Sequence, residues 1–152
     1  MKKDIAVVLD NVRSALNVGA ILRTCDGAGV LELYLCGITP QAGHPRVKKT
    51  AIGAENSVQT SYYSNTRDAI NILKKKGFQI CAVEQSQNAK PVNFLENFTK
   101  LALIFGNEIA GVAEEIVELS DITVELPMKG KKNSLNIATT VGIVLYYLIL
   151  NE

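Results

Sequence analysis

The stretch that decides the fold lies near the N-terminus, where residues 5–29 read IAVVLDNVRSALNVGAILRTCDGAG. Its first five residues, Ile5–Leu9, are all apolar, which is typical of a strand buried on both faces. After a polar break, apolar residues recur at helical spacing, and Gly29 is a common type of helix stop. We therefore predict a strand over 5–9 and a helix over 17–29, with Asn17 as its N-cap.

The same alternation of short apolar runs and helical patterns continues to the C-terminus. It predicts further strands over residues 31–36, 58–63, 78–83, 101–105 and 122–126. It predicts further helices over residues 45–52, 64–76 and 112–119, and a last one, capped by Asn133 or Ser134, that ends near residue 150. Strands separated by such helices indicate an α/β fold, a mostly parallel sheet with helices on both faces. Ligands of these sheets bind beyond the carboxyl ends of the strands, which selects the loops after Leu9, Phe105 and Leu126.

The composition suits a single folded domain with little overall charge. The chain has 152 residues, of which 47% are hydrophobic, and its net charge is +1. We expect residues 1–152 to form one domain, because a core of this size needs no disulfide or metal to be stable. Residues 1–76 carry 11 Lys and Arg against 6 Asp and Glu. A domain that is basic overall is thus excluded, but a local basic surface for a polyanion is not.

Several classes of chemistry are disfavoured by what the sequence lacks. Its three cysteines and one histidine have no metal-ligand spacing, so we expect no metal and free thiols in a reducing cytoplasm. The apolar segment at residues 141–150 is far shorter than the ~20 residues of a membrane span, so we expect no membrane partner. Neither the glycine pattern of dinucleotide-binding proteins nor the Gly-Lys-Ser/Thr ending of a Walker loop occurs, which disfavours hydride transfer and P-loop phosphoryl transfer.

One arginine is unusual in the predicted first helix. Arg23 lies among small and apolar residues, and a guanidinium in such surroundings needs an anion. Two interpretations stay open at this point. The anion is either a carboxylate of the chain itself, from Asp10, Asp26 or Glu108, or an external group such as a phosphate.

Three segments, taken together, resemble a known family. Residues 11–24 (NVRSALNVGAILRT), 103–112 (LIFGNEIAGV) and 126–138 (LPMKGKKNSLNIA) are similar in order and spacing to the three motifs of the SpoU, or TrmH-like, RNA 2′-O-ribose methyltransferases of the SPOUT superfamily. Two departures are visible. Ile109 stands where the second motif often has a glycine, and Ala138 stands where the third motif often ends in a serine.

The resemblance implies a particular fold and a cofactor. In the family the C-terminal part of the α/β sheet, here from about Leu101 onward, forms a deep trefoil knot in which S-adenosylmethionine binds. The cofactor-binding residues that the resemblance implies are Val83, Phe105, Gly106, Leu126, Met128 and Leu135.

The resemblance also implies an enzyme that methylates a ribose 2′-hydroxyl of tRNA or rRNA. The family's leading candidate for activating that hydroxyl corresponds to Arg23. Because a guanidinium stays protonated in proteins, we expect it to hold a phosphate and stabilise the developing alkoxide rather than act as a base. Asn17 would position the ribose or the arginine. Ser134 and Asn136 would contact the target nucleotide or the methionine end of the cofactor. Glu108 would orient Arg23 or loop amides, and an internal contact that only fixes the loop is the alternative.

The resemblance further implies RNA as substrate and a homodimer formed through the first and last helices. The second point agrees with residues 141–150, which are apolar on nearly every face. We expect no separate RNA-recognition domain, so loops of the core would bind the RNA. The candidates for phosphate contacts are Arg13, Arg46, Lys48, Lys49, Lys129, Lys131 and Lys132. A non-catalytic RNA-binding SPOUT domain is the competing interpretation.

Overall fold

A parallel sheet forms the centre of the molecule, described by a computed structural model of residues 1–152. The seven strands are β1 (Asp4–Asp10), β2 (Glu32–Cys36), β3 (Thr60–Tyr63), β4 (Gln79–Val83), β5 (Lys90–Pro91), β6 (Lys100–Gly106) and β7 (Ile122–Glu125). The helices are α1 (Ala15–Ala28), α2 (Pro45–Ala51), α3 (Thr66–Lys75), α4 (Glu114–Leu119) and α5 (Ile137–Leu150). The strand order is β3-β2-β1-β6-β4-β7-β5, and every pairing is parallel.

Two hydrophobic clusters lie on opposite faces of this sheet. In β1, Val7 and Leu9 belong to the cluster that also contains the buried residues of α1 and α5. Ala6 and Val8 belong to the other cluster, which contains the buried residues of α3 and α4. Successive side chains of a strand point to opposite faces, so a strand covered on both sides must be apolar throughout. The predicted α/β fold, with a parallel sheet and helices on both faces, is confirmed.

The N-caps of the two long helices, α1 and α5, differ from the predicted ones. Helix α1 begins at Ala15, because Ser14 is the N-cap and its side chain accepts from the Asn17 amide at 3.2 Å. Asn17 therefore lies inside the first turn, and the predicted cap was wrong. Helix α5 begins at Ile137 rather than after Asn133 or Ser134, with Asn136 as its N-cap. Each segment offers several cap-forming residues within about one turn, so the contacts of the loops decide which one is used.

Three further observations bear on chemistry. No helix has both the length and the apolar character that crossing a bilayer requires. No group of three or more His, Cys, Asp or Glu side chains is arranged to hold a metal ion. Cys25, Cys36 and Cys81 are buried and free, and burial raises the pKa of each thiol to about 12. These cysteines stay as thiols at neutral pH and are not nucleophiles.

A buried aspartate fixes the carboxyl end of β1. Asp10 is only 2% exposed. Its Oδ1 accepts from the Thr66 hydroxyl at 2.6 Å, and its Oδ2 accepts from the Ala113 amide at 3.0 Å. One carboxylate thus joins the central strand to the start of α3 and to the loop after β6, which is why that loop has a fixed position above the sheet.

We expect Asp10→Ala to lower the free energy of unfolding by about 2–3 kcal/mol, because it leaves a buried amide and a hydroxyl without an acceptor. Chemical denaturation with urea measures this change. Asp4→Ala, at the exposed start of the same strand, is the control and should stay within about 0.5 kcal/mol of the unmodified protein. An equally small change for Asp10→Ala would contradict the role given to the aspartate.

Candidate active site

A cavity of about 670 Å³ opens at the carboxyl edge of the sheet. The loops after β4, β6 and β7 and the first turn of α5 form its walls. All six residues predicted to bind the cofactor line it, together with three of the predicted catalytic residues: Val83, Phe105, Gly106, Leu126, Met128 and Leu135, and Glu108, Ser134 and Asn136.

One wall of this cavity is backbone without partners. Among the hydrogen bonds of the chain, none involves an amide or carbonyl of residues 126–135. This segment forms neither helix nor strand. Backbone donors and acceptors need partners, and here they are free to take them from a ligand. Next to the apolar side chains of Leu126, Met128 and Leu135, they suit a flat, partly polar ring with hydrogen-bonding edges.

The opposite wall is a tight turn that folds back on the end of β6. Asn107 and Gly111 exchange two backbone hydrogen bonds of 3.0 and 2.9 Å. A Cβ on Gly106 would lie 2.1 Å from backbone atoms of Gly111 and Val112, so only glycine fits there. The requirement for glycine in this motif is therefore set by the turn itself.

Glu84, just after β4, holds the far end of that turn. Its Oε2 accepts from the Val112 amide at 2.8 Å, and its Oε1 accepts from the Gln85 amide at 3.1 Å. A Cβ on Gly111, whose φ is +72°, would lie 2.1 Å from the same carboxylate. The loops after β4 and β6 are thereby locked together on one side of the cavity.

Glu108 connects the same turn to the first helix. Its Oε1 accepts from the Arg13 amide at 2.9 Å and its Oε2 from the Ser14 amide at 2.8 Å. Burial opposes ionisation of this carboxyl, but the hydrogen bonds from the Arg13 and Ser14 amides prevail and hold its pKa below the ordinary value. An ionised carboxylate at a helix N-terminus is also favoured by the helix dipole. Of the roles predicted for Glu108, the structure supports the contact with loop amides.

Asn17 extends this contact to the last helix. Its Nδ2 donates to Glu108 Oε2 at 3.4 Å, and its Oδ1 accepts from Asn136 Nδ2 at 3.5 Å. Asn136 in turn caps α5, since its Oδ1 accepts from the amides of Ala138 and Thr139 at 2.9 and 3.3 Å. One residue from each of the three motifs therefore meets at a single point.

Arg23 lies apart from this network. It is exposed, two turns further along α1, and it lines neither of the two cavities of this edge. It makes no ion pair and donates no hydrogen bond within the chain; the ion pairs present are Arg67–Glu115 and Lys76–Glu32. The interpretation of Arg23 as half of a structural ion pair is therefore wrong, and its guanidinium is free for an external anion.

A second cavity, of about 540 Å³, lies on the other side of the Glu108 turn. Arg13, His44 and Arg46 line it, so the structure brings together two of the seven residues predicted to contact RNA. Lys48 and Lys49 follow on the exposed side of α2. The other predicted phosphate contacts lie in the exposed segment after β7: Lys129, Lys131 and Lys132.

Four residues that shape these cavities were not predicted from the sequence. Asp10 directly precedes the first motif and Asn107 lies within the second, and their position at strand ends was the available signal. Glu84 also follows a predicted strand, so the rule about carboxyl ends would have selected its loop. His44 lies in a Gly-His-Pro turn, and only the structure shows that its Nδ1 accepts from the Arg46 amide at 3.1 Å.

These features define a class. The molecule is a parallel α/β protein with a small-molecule cavity at the carboxyl edge of its sheet and a cationic cavity beside it. Within that class, the model of the SpoU rRNA Methylase family matches residues 4–146. The chain therefore belongs to the SpoU rRNA methylase family.

Individual relatives agree with this assignment. The chain is 33% identical over 143 residues to a tRNA (guanosine(18)-2′-O)-methyltransferase of Thermus thermophilus, covering 94% of this chain and 73% of the relative. It is 39% identical over 153 residues to the enzyme of the same name from Aquifex aeolicus, covering 95% and 68%. The AdoMet-bound rRNA methyltransferase from Sinorhizobium meliloti superposes with a TM-score of 0.90 at 27% identity, covering 97% of this chain and 56% of that longer one.

We expect the Glu108 contact to contribute pH-dependent stability. Since the folded pKa is lowered, the contribution is complete above the ordinary carboxyl value and is lost as the pH falls through the folded pKa. Glu108→Gln should therefore be less stable than the unmodified protein by up to about 1 kcal/mol at pH 7. This difference should shrink as the pH falls below about 4.

Urea unfolding of both proteins across pH 7 to pH 3 measures the effect. Glu118→Gln removes an exposed carboxylate that makes no hydrogen bond, and it is the matched control. If the difference in the free energy of unfolding between Glu108→Gln and the unmodified protein stayed the same at every pH, the ionised carboxylate would make no pH-dependent contribution to stability.

Proposed function

We propose that this protein transfers a methyl group from S-adenosylmethionine to a ribose 2′-hydroxyl of tRNA. The observation that carries the proposal is a cavity lined by the second and third family motifs, whose free backbone fits the adenosine part of the cofactor. The first motif adjoins it, since Asn17 contacts both Glu108 and Asn136 of the cavity wall. tRNA rather than rRNA is chosen because the relatives from Thermus thermophilus and Aquifex aeolicus are named tRNA methyltransferases.

The residues present fit the cofactor. The amides and carbonyls at 126–135 match an adenine edge, and the apolar side chains of Leu126 and Leu135 match its faces. Ser134 and Asn136, next to the N-terminus of α5, suit the polar methionine end. When bound, S-adenosylmethionine supplies a methyl group made electrophilic by the adjacent sulfonium.

The chain's own task is to align and activate the hydroxyl. A ribose hydroxyl is a weak acid, so negative charge that develops on its oxygen must be stabilised in a pocket that also fixes its direction. Asn17 fixes the position of the ribose side of the pocket through its hydrogen bonds with Glu108 and Asn136. Arg23, free of intramolecular partners, binds the phosphate next to the target ribose and stabilises the developing alkoxide, and the proton leaves to phosphate or water.

A second copy of the chain brings that arginine to the cavity. Helices α1 and α5 lie side by side and parallel, since Asn17 meets Asn136 and a Cβ on Gly27 would lie 2.6 Å from the Tyr146 hydroxyl. Helix α5 leaves three large side chains partly or largely exposed: Ile143 (43%), Tyr146 (41%) and Leu150 (78%). Apolar surface of this kind, continuous with an exposed helix, is typical of an interface. We assign it to a homodimer in which Arg23 serves the partner's cavity.

Two further features complete the proposal. We assign residues 1–152 to a single SPOUT catalytic domain that acts in the cytoplasm, where tRNA is modified. We also assign the C-terminal trefoil knot of the family to the segment from β6 onward. In support, β4 lies between β6 and β7, and the chain then returns from β7 to pack α5 beside α1. Arg13, Arg46, Lys48 and Lys49, with Lys129, Lys131 and Lys132, supply the cationic surface for the RNA.

Binding of S-adenosylmethionine and formation of 2′-O-methylated nucleotides in tRNA test the function directly. Calorimetry with the cofactor, and mass spectrometry of an unmodified tRNA transcript after incubation, are the measurements. Arg23→Ala should lower the rate of methyl transfer by about 100-fold or more, and its affinity for the cofactor should be unchanged. Arg23→Lys should retain a measurable part of the rate, because it keeps the positive charge.

The alternatives give different results. A non-catalytic RNA-binding domain would bind tRNA without methylating it and need not bind the cofactor. A rate for Arg23→Lys as low as that for Arg23→Ala would refute the electrostatic role. Lys75→Ala, which removes a cation from the opposite, amino edge of the sheet, is the control and should leave the rate unchanged.

The dimer predicts complementation between two inactive variants. Arg23→Ala lacks the arginine, and Leu135→Arg blocks the cofactor cavity. When equal amounts of the two variants pair at random, about half of the dimers are mixed. In each mixed dimer one of the two sites combines an open cavity with the partner's arginine, so about a quarter of the activity should return. Light scattering at micromolar concentration should give twice the chain mass.

The matched control replaces Leu135→Arg by the double variant Arg23→Ala/Leu135→Arg, which supplies no arginine and should restore nothing. A monomeric mass, or complementation that fails although mixed dimers form, would contradict an arginine acting across the interface.

A further inference from the structure

The two cavities meet at Ile109. This side chain is 94% exposed, more than any other large hydrophobic residue of the chain, and it lines both cavities. An isoleucine in water gains nothing for the fold, because no apolar surface is removed from solvent. Its position, rather than a contribution to stability, is the feature that needs a reason.

The backbone that carries Ile109 is fixed. Asn107 Oδ1 accepts from the amides of Ile109 and Ala110 at 2.9 and 3.0 Å. Asn107 Nδ2 donates to the Asn11 carbonyl at 2.8 Å, which ties the turn to the loop after β1. The side chain of Ile109 is therefore exposed on a backbone that is already fixed, so a partner molecule could bind it without a further cost of ordering the loop.

The second cavity supplies the complementary chemistry. Arg13 and Arg46 line it, and neither guanidinium makes an ion pair within the chain. His44 accepts from the Arg46 amide through Nδ1, which leaves Nε2 of the neutral ring as a donor. Glu108 also lines the cavity, but both of its oxygens are occupied by donors from the start of α1. What remains is cationic and hydrogen-bond donating, with Ile109 as an apolar edge.

This combination matches a nucleotide. Guanidinium groups bind phosphate oxygens in a bidentate manner, and an aliphatic side chain on a rigid backbone packs against the face of a base. The second cavity is also directly adjacent to the cofactor cavity, since the turn Asn107–Ile109 forms a wall of both. A nucleotide seated here would place its neighbour in the RNA at the methyl-transfer position.

We propose that the second cavity is the subsite for the nucleotide next to the methylated ribose, with Arg13 and Arg46 on its phosphate and Ile109 against its base. The inference rests on the proposed RNA substrate. It assigns a substrate contact to the position where the family motif often has a glycine, which offers no side chain for such a contact. Ile109 and Arg46 are thus determinants of RNA affinity, and Arg46, which lines only the second cavity, is not a determinant of cofactor affinity.

The experiment measures two affinities for each variant. Fluorescence anisotropy with a labelled, unmodified tRNA transcript gives the RNA affinity, and calorimetry gives that for S-adenosylmethionine. Ile109→Ala should weaken tRNA binding about fivefold, while Ile109→Leu stays within about twofold, because leucine keeps the apolar area. Arg46→Gln should weaken it about tenfold and lower the slope of log affinity against log salt concentration by about one. Cofactor affinity should be unchanged for Arg46→Gln, because Arg46 does not line the cofactor cavity.

Two variants at the amino edge of the sheet are the controls. Leu31→Ser removes an exposed apolar side chain, and Lys74→Gln removes an exposed cation. Both should bind tRNA as the unmodified protein does. If Ile109→Ala and Arg46→Gln also bind tRNA normally, or if the unmodified protein does not bind tRNA, the subsite is wrong. If those two variants lose tRNA affinity but the unmodified protein transfers no methyl group, the subsite stands and the proposed function fails.

Discussion

The carboxylate of Glu108 at the N-terminus of α1 is the contact on which the geometry of this edge depends. It satisfies two amides of the first motif from a turn of the second, and Asn17 passes the contact to Asn136 of the third. Three segments that are remote in sequence are therefore held together by groups that helix ends leave unsatisfied in any case. The consequence is a division of roles. Asn17, Glu108 and Asn136 are committed to positioning one another, whereas Arg23, Ser134 and the backbone of 126–135 are uncommitted and available to ligands.

The charges of the molecule follow the same division. A net charge of +1 conceals cations that gather at one edge of the sheet, around the second cavity and in the segment after β7. Two acidic side chains near them have internal partners: Glu108 accepts hydrogen bonds from amides, and Glu115 forms an ion pair with Arg67. An edge with free cations and occupied anions attracts a polyanion without the protein being basic overall, and the attraction weakens with salt.

Much of this could be predicted from the sequence, for physical reasons that differ between features. The strand Ile5–Leu9 was recognisable because burial on both faces demands an unbroken apolar run. Five of the six residues predicted to bind a cofactor lie in the second and third motifs, and they do line one cavity. The helix caps were not, since Ser14 competes with Asn17, and Asn136 with Asn133 and Ser134, within about one turn. The position of Glu84 after a predicted strand marks its loop, but no local pattern predicts its contact with the Val112 amide. The hydrogen bond of His44 with the Arg46 amide depends on the geometry of its own loop. The absence of an ion pair at Arg23 is a tertiary fact of the same kind.

The position of β6 has a consequence for how the chain is made. In the sheet Ala6 of β1 pairs with Ala102 of β6 on one side and with Glu32 of β2 on the other. During synthesis β1 and β2 emerge early, but the second edge of β1 stays open until β6 has left the ribosome. For most of translation the nascent protein therefore presents one unpaired backbone edge of β1, whose residues 5–9 are all apolar, and such an edge invites wrong pairing. The polar network at the carboxyl edge can assemble only afterwards, which makes this edge one of the last parts of the molecule to acquire its structure.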